Sequence, residues 1–243
     1  KMMSQTYGAP GVESTSSVVS LAAIGGEKDH PEEILWWAAG RSKNLVQAST
    51  FNLEDQVITH ILYEILGERV PVVFVDTLHH FAETLDVVLE TRDRYDLDLV
   101  VLGPTGAGTR EKFSEMHGER LWERDLERFH QLTKIEPFQR GLEDLGADGW
   151  ITGRRRDQAP SRADMNVFEV DPLGRLKANP LAYWTRQMSR AFAMSRNVPY
   201  NVLHDRGYPS IGDEPLTEPV DSDDVERAGR WRGSPKTECG MHY

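Results

Sequence analysis

Val70-Pro71-Val72-Val73-Phe74-Val75-Asp76-Thr77 is the stretch that decides the fold. Its apolar opening is rich in β-branched side chains and shows no polar alternation, the composition of a strand covered on both faces in a parallel sheet. Upstream, Gly67 closes a segment, Leu53 to Leu66, with helical spacing at Val57, Ile61 and Ile65, and before that Asn44-Leu45-Val46-Gln47-Ala48 reads as a strand. Downstream come an amphipathic helix over Phe81 to Arg94 and a strand at Asp98-Leu99-Val100-Val101-Leu102. Mostly helical material then leads to a fourth strand, Gly149-Trp150-Ile151-Thr152. Asp29-His30-Pro31-Glu32-Glu33 reads as a helix start, with a capping aspartate, an early proline and an acidic first turn. Strands alternating with helices imply right-handed crossovers and an α/β fold, a parallel sheet with helices on both faces.

In such folds ligands sit at the carboxyl ends of the strands. That rule places Ser49 to Asn52, Asp76 to His80 and Gly153 to Asp157 on one rim. Beyond Gly207, prolines, glycines and charges replace periodic segments. The expected organisation is a disordered stretch over residues 1–20, an α/β domain over 21–207, and a mobile, irregular C-terminal arm over 208–243.

The chain has 243 residues, enough for one sizeable core without staples. With 28 Lys and Arg against 39 Asp and Glu, its net charge of -11 disfavours a broad nucleic-acid or membrane footprint. An anionic ligand therefore needs a local basic cluster. Its one cysteine, Cys239, excludes an intrachain disulfide. No apolar run approaches membrane-spanning length and no secretory signal is visible, so a cytoplasmic setting is the expectation.

Three rim segments and the arm carry chemistry. Gly153-Arg154-Arg155-Arg156-Asp157-Gln158 follows a strand, where guanidinium forks suit phosphate or sulfate oxygens, with Arg162 extending the cluster; a salt-bridged surface loop is the plain alternative. Ser49-Thr50-Phe51-Asn52 joins a strand to a helix and suits either a nucleotide or ordinary capping. Asp76 and Thr77 precede His79 and His80, but adjacent histidines point different ways and no second cluster completes a metal set, so contacts to adenosine or ribose are the better reading. Arg227, Arg230, Arg232 and Lys236 precede Cys239 closely, and cations there stabilise a thiolate. A cysteine brought to a pKa of about 7 is roughly half thiolate near neutrality. Glu238 opposes that shift, and a solitary thiol needs an external thiol to complete redox chemistry.

Taken together, these segments resemble the phosphoadenosine phosphosulfate (PAPS) reductase family. The matching stretches are Val75-Asp76-Thr77-Leu78-His79-His80-Phe81, Lys134-Ile135-Glu136-Pro137, Thr152-Gly153-Arg154-Arg155, Tyr208-Pro209-Ser210-Ile211-Gly212-Asp213, Glu226-Arg227-Ala228-Gly229-Arg230-Trp231 and Lys236-Thr237-Glu238-Cys239-Gly240. The resemblance implies an adenine-nucleotide α-hydrolase-like, Rossmann-like fold whose arm closes over PAPS. It implies that Cys239 attacks the sulfuryl group, that adenosine 3',5'-bisphosphate leaves, and that thioredoxin or glutaredoxin releases sulfite from an S-sulfocysteine. By the same resemblance Ser49, Thr50, Asp76 and Thr77 line the nucleotide site. Lys134, Arg154, Arg155, Arg162, Arg227, Arg230, Lys236 and His242 are the candidate phosphate or sulfate contacts. His242 and Glu238 join Cys239 as candidate catalytic residues, and a homodimer is compatible with the family.

The departures from related proteins carry information too. Related reductases of adenosine 5'-phosphosulfate (APS) hold an iron-sulfur cluster on a Cys-Cys pair and a Cys-x-x-Cys; the aligned positions here are Phe129-His130 and Asp213-Glu214-Pro215-Leu216. Thiolates are what hold such clusters, so neither a cluster nor a metal is expected. The glycine-rich loop of ATP pyrophosphatases is also missing at Ser49-Thr50-Phe51-Asn52-Leu53. The alternatives to a PAPS reductase are a cluster-free APS reductase and a non-catalytic nucleotide-binding protein on the same fold.

Overall fold

The computed structural model describes residues 30–221, 225–238 and 240–242. The four expected apolar runs are strands: β1 (Leu45–Ser49), β2 (Val72–Val75), β3 (Leu99–Leu102) and β4 (Gly149–Ile151). All four run parallel, with β1 between β2 and β4, and β2 beside β3. Two short strands that the sequence reading passed over, β5 (Phe168–Val170) and β6 (Leu176–Ala178), complete a six-stranded sheet in the order β3-β2-β1-β4-β6-β5. Strand β6 is parallel to β4, and β5 returns antiparallel to β6. Their turn is specified locally. The Asp171 carboxylate accepts from the N–H groups of Leu173 and Arg175, both at 2.9 Å, and Gly174 takes a left-handed φ of 83°.

Alternation along the strands sorts the core into two layers. Leu45 and Ile151 pack beneath α1 (Pro31–Arg41), α2 (Leu53–His60) and α8 (Arg186–Ser195), while Val72 and Phe74 meet Val87 and Val88 of α3 (Ala82–Tyr95). On the other face Val46, Val73 and Trp150 enclose Phe138 and Leu142 of α7 (Glu136–Asp144). Each such fully buried side chain contributes about 1.5–3 kcal/mol. Gly141 lets α7 approach closely, because a Cβ there would lie 2.2 Å from a Leu102 methyl.

Between β3 and α7 run α4 (Arg110–His117), α5 (Leu121–Arg124) and α6 (Leu126–His130). The chain passes from α6 to α7 through a wide π-helical turn, Gln131–Ile135, and a similar turn, Ile61–Leu66, extends α2 to its left-handed stop at Gly67. Helix α1 begins with Pro31 and an acidic first turn, as its sequence predicts. His30 occupies the cap without a side-chain bond, and Asp29, the expected cap, lies outside the described residues.

After Gly207 the described residues form no α-helix or multi-residue strand, only a short 3-10 turn, Glu214–Leu216, and the isolated bridges His80–Asp213 and Thr217–Arg230. The start of this arm is tied to the rim. Asn52 donates to the Ile211 carbonyl at 3.0 Å and accepts from its N–H at 3.1 Å. Among the described residues no helix is long and apolar enough to cross a membrane.

Candidate active site

A crevice of about 1130 Å³, counting its open mouth, lies at the carboxyl ends of β1, β2 and β4, with the arm as its far wall. Among the expected residues Ser49, Thr50, Thr77, Lys134, Arg154, Arg162, Arg227, Arg230 and His242 line it; Asp76, Arg155, Lys236 and Glu238 do not.

The turn after β1 is bound to the start of α2. Thr50 donates through its N–H (2.7 Å) and its hydroxyl (2.8 Å) to Asp55, so these polar groups cap the turn as well as facing the crevice. Burial pushes the Asp55 carboxyl up to about 6, against the pull of the Thr50 hydrogen bonds. Gly153 is required opposite: a Cβ there would lie 2.3 Å from an Asp55 oxygen and 3.0 Å from Glu54 Cβ.

After β2 the aspartate and threonine part company. Asp76 is not among the residues lining the crevice: its carboxylate turns into its own loop and accepts from the Leu78 N–H at 2.8 Å. Thr77 reaches the crevice and donates to Asp213 at 2.7 Å. His80 also lines it, with its ring 5.0 Å from that of Phe74 and its pKa pushed down by burial against the pull of Asp213. His79 faces away, edge-on to Phe113, Trp122 and Phe129, and makes no ribose-facing surface.

The three arginines after β4 have separate fates. Arg154 lines the crevice, bonded to Glu169 and to Asn179 Oδ1 at 3.2 Å; burial lowers its pKa and Glu169 opposes. Arg155 is 0% exposed and lies behind the wall, where it meets Glu54 at 2.9 Å, Glu226 at 2.5 Å and Asp157. Its fork is committed to carboxylates, and it is not among the residues lining the crevice. Arg156 stacks over Tyr183, 4.2 Å from the ring centre.

The basic arm crosses this rim. Arg162 grips Glu238 fork to fork, with both hydrogen bonds at 2.6 Å, and Arg227 lies 3.5 Å from the same carboxylate. Burial raises the Glu238 pKa, but Arg162 and Arg227 outweigh it and hold the carboxyl below its ordinary range. Arg230 donates to Ser210 at 3.1 Å. Lys236 pairs with Glu127, 2.5 Å away, and is not among the residues lining the crevice. His242 stacks on Trp150 at 5.8 Å with a 7° interplanar angle, and burial beside Arg154 and Lys177 drives its pKa well below the ordinary value. The ring is therefore neutral at pH 7. Cys239, the expected nucleophile, lies outside the described residues.

Three residues lie outside the sequence expectations: Asp55, which lines the crevice, and Lys177 and Asp213, which hold lining residues His242 and Lys134. Lys177 belongs to the unrecognised β6; burial pulls it down to about 8, and it donates to the His242 carbonyl at 3.3 Å. Its signal was a lysine inside Leu176-Lys177-Ala178, a short apolar run. Asp213 ends the stretch Tyr208–Asp213, but no local spacing pairs it with Lys134, 79 positions earlier.

A Rossmann-like parallel sheet with a cationic crevice at its strand ends places this protein among the nucleotide-binding α/β folds. The family profile described as the phosphoadenosine phosphosulfate reductase domain matches residues 44–219. The phosphoadenosine phosphosulfate reductase of Emericella nidulans is 42% identical over 216 residues, covering 87% of this chain and 71% of that protein. Adenosine 5'-phosphosulfate reductase 1 of Bacillus subtilis is 37% identical over 212 residues, 86% of this chain and 89% of its own length. The crystal structure of the PAPS reductase of Candida auris, a phosphate complex, superposes with a TM-score of 0.78 at 35% identity, covering 87% of this chain and all of that one. The chain belongs to the PAPS reductase family and is a reductase.

Proposed function

We propose that this enzyme reduces PAPS to sulfite and adenosine 3',5'-bisphosphate through Cys239, with thioredoxin or glutaredoxin as the electron donor. The observation that carries the reading is the seating of the residues around Cys239. Glu238 is gripped by Arg162 on one side, and His242 is stacked on Trp150 on the other, at a crevice walled by Lys134, Arg154 and Arg230. The names of the relatives support the substrate.

In the proposed first step the Cys239 thiolate attacks the sulfuryl sulfur. A sulfur–sulfur bond forms, the sulfur–oxygen bond to the phosphate breaks, and the nucleotide leaves with that electron pair. A thiolate of the donor protein then attacks Cys239 Sγ, sulfite departs with the bonding pair, and the donor's second thiol resolves the mixed disulfide. Two electrons pass from the dithiol to the sulfuryl sulfur. Arginine and lysine on the wall balance the substrate's phosphates and the charge that grows on the leaving phosphate. His242, neutral and stacked, serves to seat the tail rather than to supply a proton.

The reaction as proposed needs no bound cofactor. Phe129, at one position where related reductases carry a cluster cysteine, is packed among His79, Phe113 and Trp122, and Asp213, at another, is committed to Lys134. These side chains do not fit an iron-sulfur cluster.

The test is sulfite release from PAPS with thioredoxin, run beside Cys239→Ser. Wild type should turn over and the serine variant should fall to background; full activity in the serine variant would end the proposal. The second reading, favoured by the names of the Bacillus relatives, is APS as substrate. Equal kcat/KM for both nucleotides would replace the PAPS assignment with it.

A further inference from the structure

Asp213 is 0% exposed, and three separate segments meet on it. Its Oδ1 accepts from the Thr77 hydroxyl at 2.7 Å, and its Oδ2 lies 2.5 Å from Lys134 Nζ, on the wide turn before α7. Its backbone bridges to His80, and the following N–H, that of Glu214, donates to the His79 carbonyl at 2.7 Å. One residue thus joins the loop after β2, the Lys134 turn and the arm.

We propose that Asp213 is a positioning residue for anion binding: its carboxylate fixes the Lys134 ammonium at the crevice wall and the Thr77 hydroxyl beside it, while its backbone, bridged to His80, sets the Ser210–Gly212 edge of the arm over the rim. The inference rests on the proposed function only in taking the anion to be an adenine nucleotide.

Physical chemistry favours this role over a purely structural one. Replacing a buried ion pair with apolar residues of similar volume is often neutral or stabilising, so cohesion alone does not call for a lysine and an aspartate here. An ammonium that is nearly buried does need a counter-charge to stay protonated. It also has three donors, so pairing with Asp213 leaves others for a ligand. Burial raises the Asp213 carboxyl, but Lys134 and then His80 overcome it and hold it far below the ordinary range, so the countercharge is permanent. The neighbouring groups do not supply it. His130 is wholly buried, and burial together with Lys134 pushes it down to about 3, so it is neutral; Arg230 and Lys236 on the arm are cations, and Asp76 turns to Leu78.

The experiment measures the affinity of adenosine 3',5'-bisphosphate by calorimetry at pH 7.5 and 9.5, with melting temperatures, for wild type, Asp213→Asn, Asp213→Glu and the double variant Lys134→Met/Asp213→Leu. Asp213→Asn should bind more weakly, and its deficit against wild type should widen by about tenfold from the lower to the higher pH as the lone buried ammonium gives up its proton. Asp213→Glu should restore the flatter profile. The double variant should melt at or above Asp213→Asn yet bind weakly at both pH values. A folded Asp213→Asn protein with wild-type affinity at both pH values overturns the inference, as does a deficit that is equal at both. If Asp213→Asn does not fold, the double variant decides, and wild-type affinity there overturns it. Wild type that binds the nucleotide but releases no sulfite removes the proposed reaction and leaves this inference standing.

Discussion

Arg155→Met separates a ligand from a buttress. In the structure Arg155 is fully enclosed and bonded to three carboxylates, of which Glu54 is 7% and Glu226 13% exposed in their side chains, while Asp157 is 43% exposed. Removing one partner of a buried ionic cluster costs about 3–5 kcal/mol, chiefly from the charges left behind. That is a large part of the ~5–15 kcal/mol of a folded domain, and at about 2–4 °C per kcal/mol for a chain of this size it lowers Tm by roughly 6–20 °C. The loss also carries a pH signature. Burial already raises the Glu226 pKa while Arg155 pulls it back, so without Arg155 the carboxyl rises further and is ionised at a cost only when the pH exceeds its new value. The stability deficit should therefore be larger at pH 8 than at pH 5. Thermal and guanidinium unfolding at the two pH values check this, and nucleotide affinity, measured well below Tm, should stay within about twofold of wild type. An unchanged Tm with affinity reduced tenfold or more would refute the reasoning and return Arg155 to the ligand's first contacts.

Two further outcomes follow from the titratable groups. Asp55, held up near 6 by burial, keeps its proton in the folded state at pH 5 and loses it by pH 8, so it destabilises the fold progressively as pH rises through 6. Asp55→Asn should therefore gain about 1.5 kcal/mol relative to wild type between pH 5 and pH 8, read as a difference in denaturant midpoints; no change in that difference would place the carboxyl's pKa in the ordinary range. Glu238→Gln removes the charge from the Arg162 fork, a loss of about 1.5 kcal/mol or more, so the open population of the tail should rise about tenfold and proteolysis after Lys236 should quicken accordingly. Because the Glu238 pKa is depressed, this contribution is fully present above the ordinary glutamate range and disappears only as pH falls through the lower folded value. Identical cleavage rates in both proteins at pH 7 would show that the fork does not hold the tail.

The legible part of this fold was the part written in local patterns. Val72 to Val75 and Leu99 to Leu102 are short apolar runs, and Leu45 to Ser49 a mostly apolar one, each too short for a helix, and the helices between them carry their own spacing. The β5–β6 hairpin was invisible to the same approach because each strand has only three residues, one of them the buried Lys177, and Asp171 through Gly174 specifies the turn by side-chain bonding rather than by hydropathy. At the site, composition identified the basic loop after β4 but treated its arginines alike. Backbone direction then sent Arg154 to the crevice and Arg155 into a carboxylate nest. Which guanidinium meets an acid behind the wall depends on Glu54 and Glu226, 101 positions before it and 71 after it. No local pattern encodes that.

The wide turn at Gln131–Ile135 holds one more residue than an ordinary helical turn would, and Lys134 sits in it. Each residue of an α-helix advances the side-chain direction by about 100°. Excising a single residue from this turn would let α6 and α7 merge into an unbroken rod, and either Lys134 would swing away from Asp213 or α7 would rotate Phe138 and Leu142 off the sheet. The spare residue is a phase adjuster between two halves of one helix, and through it the geometry of the crevice wall is sensitive to chain length at a place where no side chain need be altered at all.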